Sequence, residues 1–124
     1  MNILFIGKFQ PPHLGHVLTV YKLLKKYKKI TIGITEGKPQ YFKRKKIKNI
    51  FDTIFYHKKN IKVILLDGRV DKKTIKIKDN FKLIISGNKN ILKILNEFNF
   101  KTKYQPRTKG YGFSGTFQRR KLLK

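Results

Sequence analysis

The first 34 residues constrain the fold most. An unbroken apolar run, Ile3-Leu4-Phe5-Ile6, leads into Gly7-Lys8-Phe9-Gln10-Pro11-Pro12-His13-Leu14-Gly15-His16. The run lacks polar alternation, so Asn2–Ile6 reads as a buried strand. From His16 to Tyr27 the apolar residues Val17, Val20, Tyr21, Leu23 and Leu24 fall at helical spacing, with lysines on the other face and a basic end that suits the helix dipole. Ile30-Thr31-Ile32-Gly33-Ile34 is a second strand, rich in β-branched residues. Strand, helix and strand in this span imply parallel pairing and a right-handed crossover.

The remaining chain repeats the alternation. Thr35–Gln40 is a loop by its Gly and Pro. Phe42–Tyr56 is a helix with Ile47, Ile50, Phe51, Ile54 and Phe55 on one face and Lys43, Arg44, Lys45, Lys46 and Lys48 on the other. Such a charge run is by default a solvated face. Its position after the second strand also lets it offer a cation to a ligand at the carboxyl ends of the strands. Ile61–Leu66 is a third strand and Asp67-Gly68-Arg69 a turn, while Val70–Asn80 fits either a short helix or a loop. Phe81–Ile85 is a fourth strand that ends in Ser86-Gly87-Asn88. A helix over Lys89–Phe98, a fifth strand over Phe100–Tyr104, a basic loop over Pro106–Gly112 and a last helix over Ser114–Leu123 complete the chain, with Ser114 as N-cap. The pattern predicts an α/β fold: a doubly wound, Rossmann-like, five-stranded parallel sheet in one compact domain over residues 1–124.

Composition narrows the chemistry. With no cysteine there is no disulfide, thiolate metal site or thiol nucleophile. No 18-residue apolar run predicts a transmembrane helix, and the N-terminus lacks a signal-peptide pattern, so a cytoplasmic protein without membrane partners is expected. The net charge of +25 has two readings. It attracts polyanions such as nucleotides or RNA; alternatively, the abundant Lys, Ile, Asn and Phe reflect AT-rich codons. The six acidic residues are scattered, and none pairs with a histidine at ligand spacing, so no protein-built metal site is expected.

A strand, a glycine-containing turn and a helix are a common way to bind phosphate. Gly7 and Gly15 let the backbone approach, and the first N–H groups of the helix face the anion. His13 and His16, three residues apart at the helix start, can both donate to phosphate oxygens. The turn GKFQPPHLGH resembles the GxFxPxHxGH signature of HIGH-motif nucleotidyltransferases. Its Phe9-Gln10-Pro11 version is most similar to the GRFQPFHxGH turn of archaeal-type nicotinamide mononucleotide adenylyltransferases. Two more patches follow in register. Ser86-Gly87-Asn88 is similar to the SGN segment that ends their fourth strand, and Phe113–Arg120 looks like their SGTxIRR signature.

The resemblance implies transfer of AMP from ATP to a phosphorylated acceptor, with Mg2+ held mainly by the phosphates. It implies catalytic roles for His13, His16, Lys8 and Arg119, and nucleotide binding by Gly7, Phe9, Gln10, Gly15, Ser86, Gly87, Asn88, Ser114, Gly115 and Thr116. Lys8 stands where the family has arginine, Gln118 where it has isoleucine, and Lys46 roughly where its ERxxMI helix has arginine. Ser86–Asn88 also reads as a turn and helix cap, and Ser114 as a plain cap. The family's nicotinamide-stacking tryptophan is absent, since the chain has no tryptophan; Tyr41, Phe42 and Tyr111 are the candidate aromatic replacements. The Phe9-Gln10-Pro11 turn makes nicotinamide mononucleotide the acceptor that the resemblance implies. A related adenylyl or cytidylyl transfer, or a basic nucleotide- or RNA-binding module, is the alternative. The family's further C-terminal helices have no counterpart before Lys124, which leads to an expectation of exposed apolar surface and self-association.

Overall fold

In a computed structural model, which describes residues 2–38 and 40–106, strand β1 (Ile3–Gly7) lies at the centre of the sheet. Its neighbours are β2 (Ile30–Glu36) on one side and β4 (Leu83–Ser86) on the other, both parallel to it. Strands β3 (Ile61–Arg69) and β5 (Thr102–Tyr104) add to the two edges, so the order is β3-β2-β1-β4-β5. The five-stranded parallel sheet expected from the alternating pattern is the one observed. The order reverses between β1 and β4, and a parallel sheet opens a crevice at the carboxyl ends of the strands at such a point.

Both faces of β1 are covered, which is why its sequence carries no alternation. Ile3 and Phe5 join Ile30, Ile32, Ile34, Val63 and Ile85 against helices α1 (Leu14–Tyr27) and α2 (Arg44–Ile54), which contribute Val20, Leu23, Ile47 and Phe51. Leu4 and Ile6 join Ile84 and Leu66 on the other face, against Leu95 of helix α3 (Lys89–Glu97). The glycine of β2 fits this second face: a Cβ on Gly33 would stand 2.8 Å from Leu4 Cδ1 and 2.7 Å from Leu66 Cδ1. No helix among the described residues is long and apolar enough to cross a membrane.

Helix α3 begins as capping chemistry requires. Asn88 Oδ1 accepts from the N–H groups of Asn90 at 2.9 Å and Ile91 at 3.4 Å. Helix α2 has Lys43 as its N-cap, with no side-chain cap bond.

Of the two sequence expectations for the segment after β3, the loop is the one observed, and it is tied back to the strand. β3 runs on to Arg69, turns, and comes back so that Lys76 bridges Asp67 in antiparallel fashion. The Lys76 N–H donates to Asp67 O at 2.9 Å, and the Thr74 N–H donates to Arg69 O at 2.9 Å. The Thr74 hydroxyl also accepts from the Arg69 N–H. Gly68 permits the bend with a φ of 86°, where a Cβ would stand 2.1 Å from Thr74 O. Val70 and Phe81 are buried, and Ile75 and Ile77, two residues apart, pack against the α3-side core. That period of two is the signal of an extended segment. At the tip, the Arg69 guanidinium hydrogen-bonds Asp71 and holds its carboxyl below the usual range. The loop expected over Pro106–Gly112 (from Arg107 onward) and the helix expected over Ser114–Leu123 lie outside the described residues.

Replacing Gly68 with Ala should destabilise the fold by about 1–3 kcal/mol, because the new Cβ meets backbone and the φ is left-handed. Urea unfolding of Gly68→Ala against the parent measures it. An unchanged midpoint would contradict the hairpin.

Candidate active site

The turn that follows β1 is built from its own side chains. His13 is the N-cap of α1, with extended backbone at φ −139°. Its Nδ1 accepts the Gly15 N–H at 3.1 Å. His16, one turn along, returns the bond: its Nδ1 accepts the His13 N–H at 3.1 Å. This is a capping box made by two imidazoles in place of the usual hydroxyl and carboxylate. The rings stack with centroids 3.8 Å apart and planes 30° from parallel. The hydrogen-bond network assigns the tautomers. Each Nδ1 is an acceptor, so in the neutral ring Nε2 carries the proton and is the donor.

Phe9 supports the pair from below. It adopts a left-handed backbone at φ 52°, which costs a bulky residue about 1–2 kcal/mol. Its buried ring offsets this by meeting His16 edge-on at 4.8 Å, Phe51 at 5.0 Å and Phe5 at 5.6 Å. Gly7 leaves room for this ring, since a Cβ there would stand 3.0 Å from it. Gln10 holds the turn from the side. Its Oε1 accepts the N–H groups of Tyr41 at 2.9 Å and Phe42 at 2.8 Å, and its Nε2 donates to Phe42 O at 2.8 Å. Lys8 reaches across to the loop after β2, where its Nζ donates to Lys38 O at 2.9 Å.

On the far side of the reversal, β4 ends at Ser86. The Ser86 hydroxyl accepts the Asn88 N–H at 3.0 Å, and Asn88 caps α3. The turn-and-cap reading of this triplet is therefore realised in the structure. Two loops thus flank the crevice: 7–16 after β1 and 86–88 after β4. Among the described residues, no group of three or more His, Cys, Asp or Glu side chains could hold a metal ion.

The sequence matches the family model described as cytidylyltransferase-like over residues 4–120. The chain belongs to the cytidylyltransferase-like family. No curated protein sequence gives a significant match. Among solved structures, this cytidylyltransferase-like chain is similar to a bifunctional NMN adenylyltransferase/ADP-ribose pyrophosphatase from Francisella tularensis, at TM-score 0.71 and 18% identity. A second structure of that bifunctional protein, complexed with AMP and a manganese ion, gives TM-score 0.66 and 17% identity; each match covers 98% of this chain and 41% of the other. A NadR protein in complex with NR gives TM-score 0.64 at 15% identity, covering 85% of this chain and 37% of that one. At these identities the likeness is one of fold, and the chain spans about two-fifths of the length of the Francisella protein.

In the cytidylyltransferase-like chain the fold brings Gly7, Lys8, Phe9, Gln10, His13, Gly15 and His16 into one turn, with Ser86, Gly87 and Asn88 across the reversal. The side chains of Phe9 and Gln10 are used inside the protein, to hold the turn. Ser114, Gly115, Thr116 and Arg119 lie outside the described residues. Two residues that the sequence reading placed on a solvated face and in a loop, Arg44 and Glu36, matter at this edge. Arg44, the first residue of α2, donates to Leu66 O at 2.7 Å and to Glu36 Oε1 at 3.2 Å, while Glu36 Oε2 accepts the Gly68 N–H. This network ties the ends of β2 and β3 to α2. Lys46, matched to a family arginine, is exposed, with its ammonium 5.1 Å from the Phe42 ring centroid. The available signal was that Arg44 is the one arginine in the basic run 43–48 and Glu36 one of six acidic residues.

Arg44→Ala should cost about 1.5–3 kcal/mol, because it leaves a carbonyl and a carboxylate without a charged donor. Lys46→Ala should stay within about 0.5 kcal/mol of the parent. Denaturant midpoints of the two variants check the contrast.

Proposed function

We propose that this chain catalyses nucleotidyl transfer: AMP passes from ATP to a phosphorylated acceptor, nicotinamide mononucleotide, and pyrophosphate leaves. The observation that carries the reading is the His13–His16 capping box at the start of α1, beside the crevice where the strand order reverses. Two imidazoles whose Nδ1 atoms accept from the backbone keep Nε2 as the donor of each neutral ring, at a helix start whose dipole favours an anion. The family membership supports nucleotidyl transfer. The names of the structural neighbours support the nicotinamide branch: an NMN adenylyltransferase seen with AMP, and a NadR protein seen with NR and with NAD and AMP-PNP.

The chemistry needs little from a base. A phosphate oxygen of the acceptor, already ionised at neutral pH, attacks the α-phosphorus in line. The bond from that phosphorus to the α,β-bridging oxygen breaks, and pyrophosphate carries the electron pair away. Catalysis is then positioning and charge stabilisation. In this reading His13 and His16 donate to the phosphates, and Gly7 and Gly15 allow close backbone approach. Lys8 supplies a point charge. Ser86–Asn88 border the nucleoside from the β4 side. Arg119 and the Ser114-Gly115-Thr116 segment complete the phosphate cradle. A magnesium ion enters with the triphosphate and is held by phosphate oxygens and water.

His16→Asn is the sharpest variant. The Asn oxygen replaces Nδ1 as acceptor for the His13 N–H, so the helix start survives, but Nε2–H is lost. Pyrophosphate release from ATP with nicotinamide mononucleotide should fall about 100- to 1000-fold while the melting temperature stays within a few degrees. Retained activity would refute the role of the pair. Faster release with CTP than with ATP would move the reading to cytidylyl transfer.

A further inference from the structure

We propose that the end of helix α1 and strand β5 form a second anion site, for a polyvalent phosphate group, at the amino end of the sheet and away from the crevice. Its residues are Lys26, Tyr27, Lys28, Lys29 and Lys103. The inference is independent of the nucleotidyl-transfer reading above.

Tyr27 closes α1 and is half-buried, packed against the core on the α1 and α2 side. Two amino groups meet at its ring. Lys103, whose β5 position is in register with Ile85, donates from Nζ to the Tyr27 hydroxyl at 3.4 Å and lies 5.9 Å from the ring centroid. Lys26 Nζ lies 5.4 Å from the same centroid. Tyr27 and Lys103 are 76 residues apart in the chain, so the fold brings these cations together. The two amino groups are close enough to interact directly. Like charges at such range repel unless an anion joins them.

No carboxylate answers them. The first acidic residue of the chain is Glu36, at the far end of β2. Among the described residues the ion pairs use Arg44, Lys48, Arg69 and Lys73, and none uses Lys26, Lys28, Lys29 or Lys103. An open cleft of about 480 Å³ is bordered by Lys26, Tyr27, Lys28 and Lys29. Lysines in a last helical turn complement the dipole, which accounts for Lys25 and Lys26. It does not account for Lys103, which belongs to β5, or for Lys28. Lys28 stands at the C-cap with φ 66°, in the region that favours glycine. Asn60 holds it there: its Nδ2 donates to Lys28 O at 2.9 Å, while its own carbonyl accepts the Ile30 N–H at 3.0 Å. A lysine kept in a glycine conformation points to a use for its side chain. Four ammonium groups call for an oxyanion of several charges, and lysine, as a point charge, asks for no bidentate geometry. The Tyr27 hydroxyl accepts from Lys103 and retains its own proton for a further acceptor. A phosphate group meets these demands, either free in a small polyphosphate or in the backbone of a nucleic-acid strand.

Amide chemical shifts of 15N-labelled protein test the site. Three probes are titrated in turn: tripolyphosphate, an oligouridylate of about 12 nucleotides, and sodium chloride at matched ionic strength. The amides of Tyr27, Lys28, Lys29 and Lys103 should shift saturably with a phosphate probe and not with sodium chloride. Saturation by tripolyphosphate identifies a free polyphosphate as the source, and saturation by oligouridylate alone identifies a nucleic-acid backbone. In Lys26→Gln/Lys103→Gln the Kd read at these amides should rise about tenfold, with the melting temperature within a few degrees of wild type. Lys62→Gln/Lys93→Gln removes the same charge from exposed lysines elsewhere and should change that Kd less than twofold. Amides of the turn 7–16 report the crevice separately and should respond alike in all three proteins. Equal weakening in the two double variants overturns the proposal. So do shifts that sodium chloride reproduces, or the lack of a saturable shift with either phosphate probe.

Discussion

Two stacked imidazoles hold the start of α1, and the carboxyl edge of the sheet depends on how they do so. His16 Nδ1 accepts the His13 N–H and His13 Nδ1 accepts the Gly15 N–H, which satisfies an orphan donor of the helix start and fixes both ring planes. The same bonds dictate that Nε2 is the donor of each neutral ring. The structural role of the two side chains is therefore carried by their Nδ1 edges. Phe9 makes this possible by giving the His16 ring an apolar support, and Phe51 of α2 and Phe5 of β1 lock Phe9 in turn. A core residue of α2 is in this way two contacts from the helix start of α1.

Charge shapes the rest of the edge. With 31 basic residues against six acidic ones, each carboxylate is scarce. Glu36 uses both oxygens, one on Arg44 and one on the Gly68 N–H, and so joins three elements with one side chain. The pairs Lys48–Asp52, Arg69–Asp71 and Lys73–Glu97 are more exposed and stabilise little. Most lysines have no acidic counterpart, and the field they create favours an anionic ligand anywhere on the surface. Under the proposed function, selectivity would come from fixed donors at the turn and from the shape of the loops around it.

Much of this was legible in the chain. The unbroken run at Ile3–Ile6 signalled a strand covered on both faces, and the helical spacing from Val17 to Leu24 signalled the crossover that makes it parallel. The turn between β1 and α1 was legible from its glycines and histidines, while its assignment to phosphate belongs to the proposed function. The uses of Phe9 and Gln10 were not, because a left-handed φ on Phe9 and a bond from Gln10 to residues 41 and 42 depend on tertiary packing. The anchoring of segment 70–80 to β3 was hidden for a related reason. Its lysines hid the period-two signal of Ile75 and Ile77, and the decisive residue, Gly68, read as an ordinary turn glycine. Arg44 was lost among lysines because sequence does not say which member of a basic run points back at a carboxylate.

The central claim is that the backbone fixes the tautomers of His13 and His16 so that Nε2–H faces the phosphates. Long-range proton–nitrogen correlation spectra of 15N-labelled protein test it directly, since the chain has only three histidines and the exposed His57 serves as internal reference. The account predicts that in the nucleotide-free protein at neutral pH both rings show an unprotonated Nδ1 and a protonated Nε2, and that ATP shifts the two Nε2 resonances while leaving His57 unmoved. A proton on Nδ1 of either ring at neutral pH, or Nε2 resonances indifferent to ATP, would contradict it.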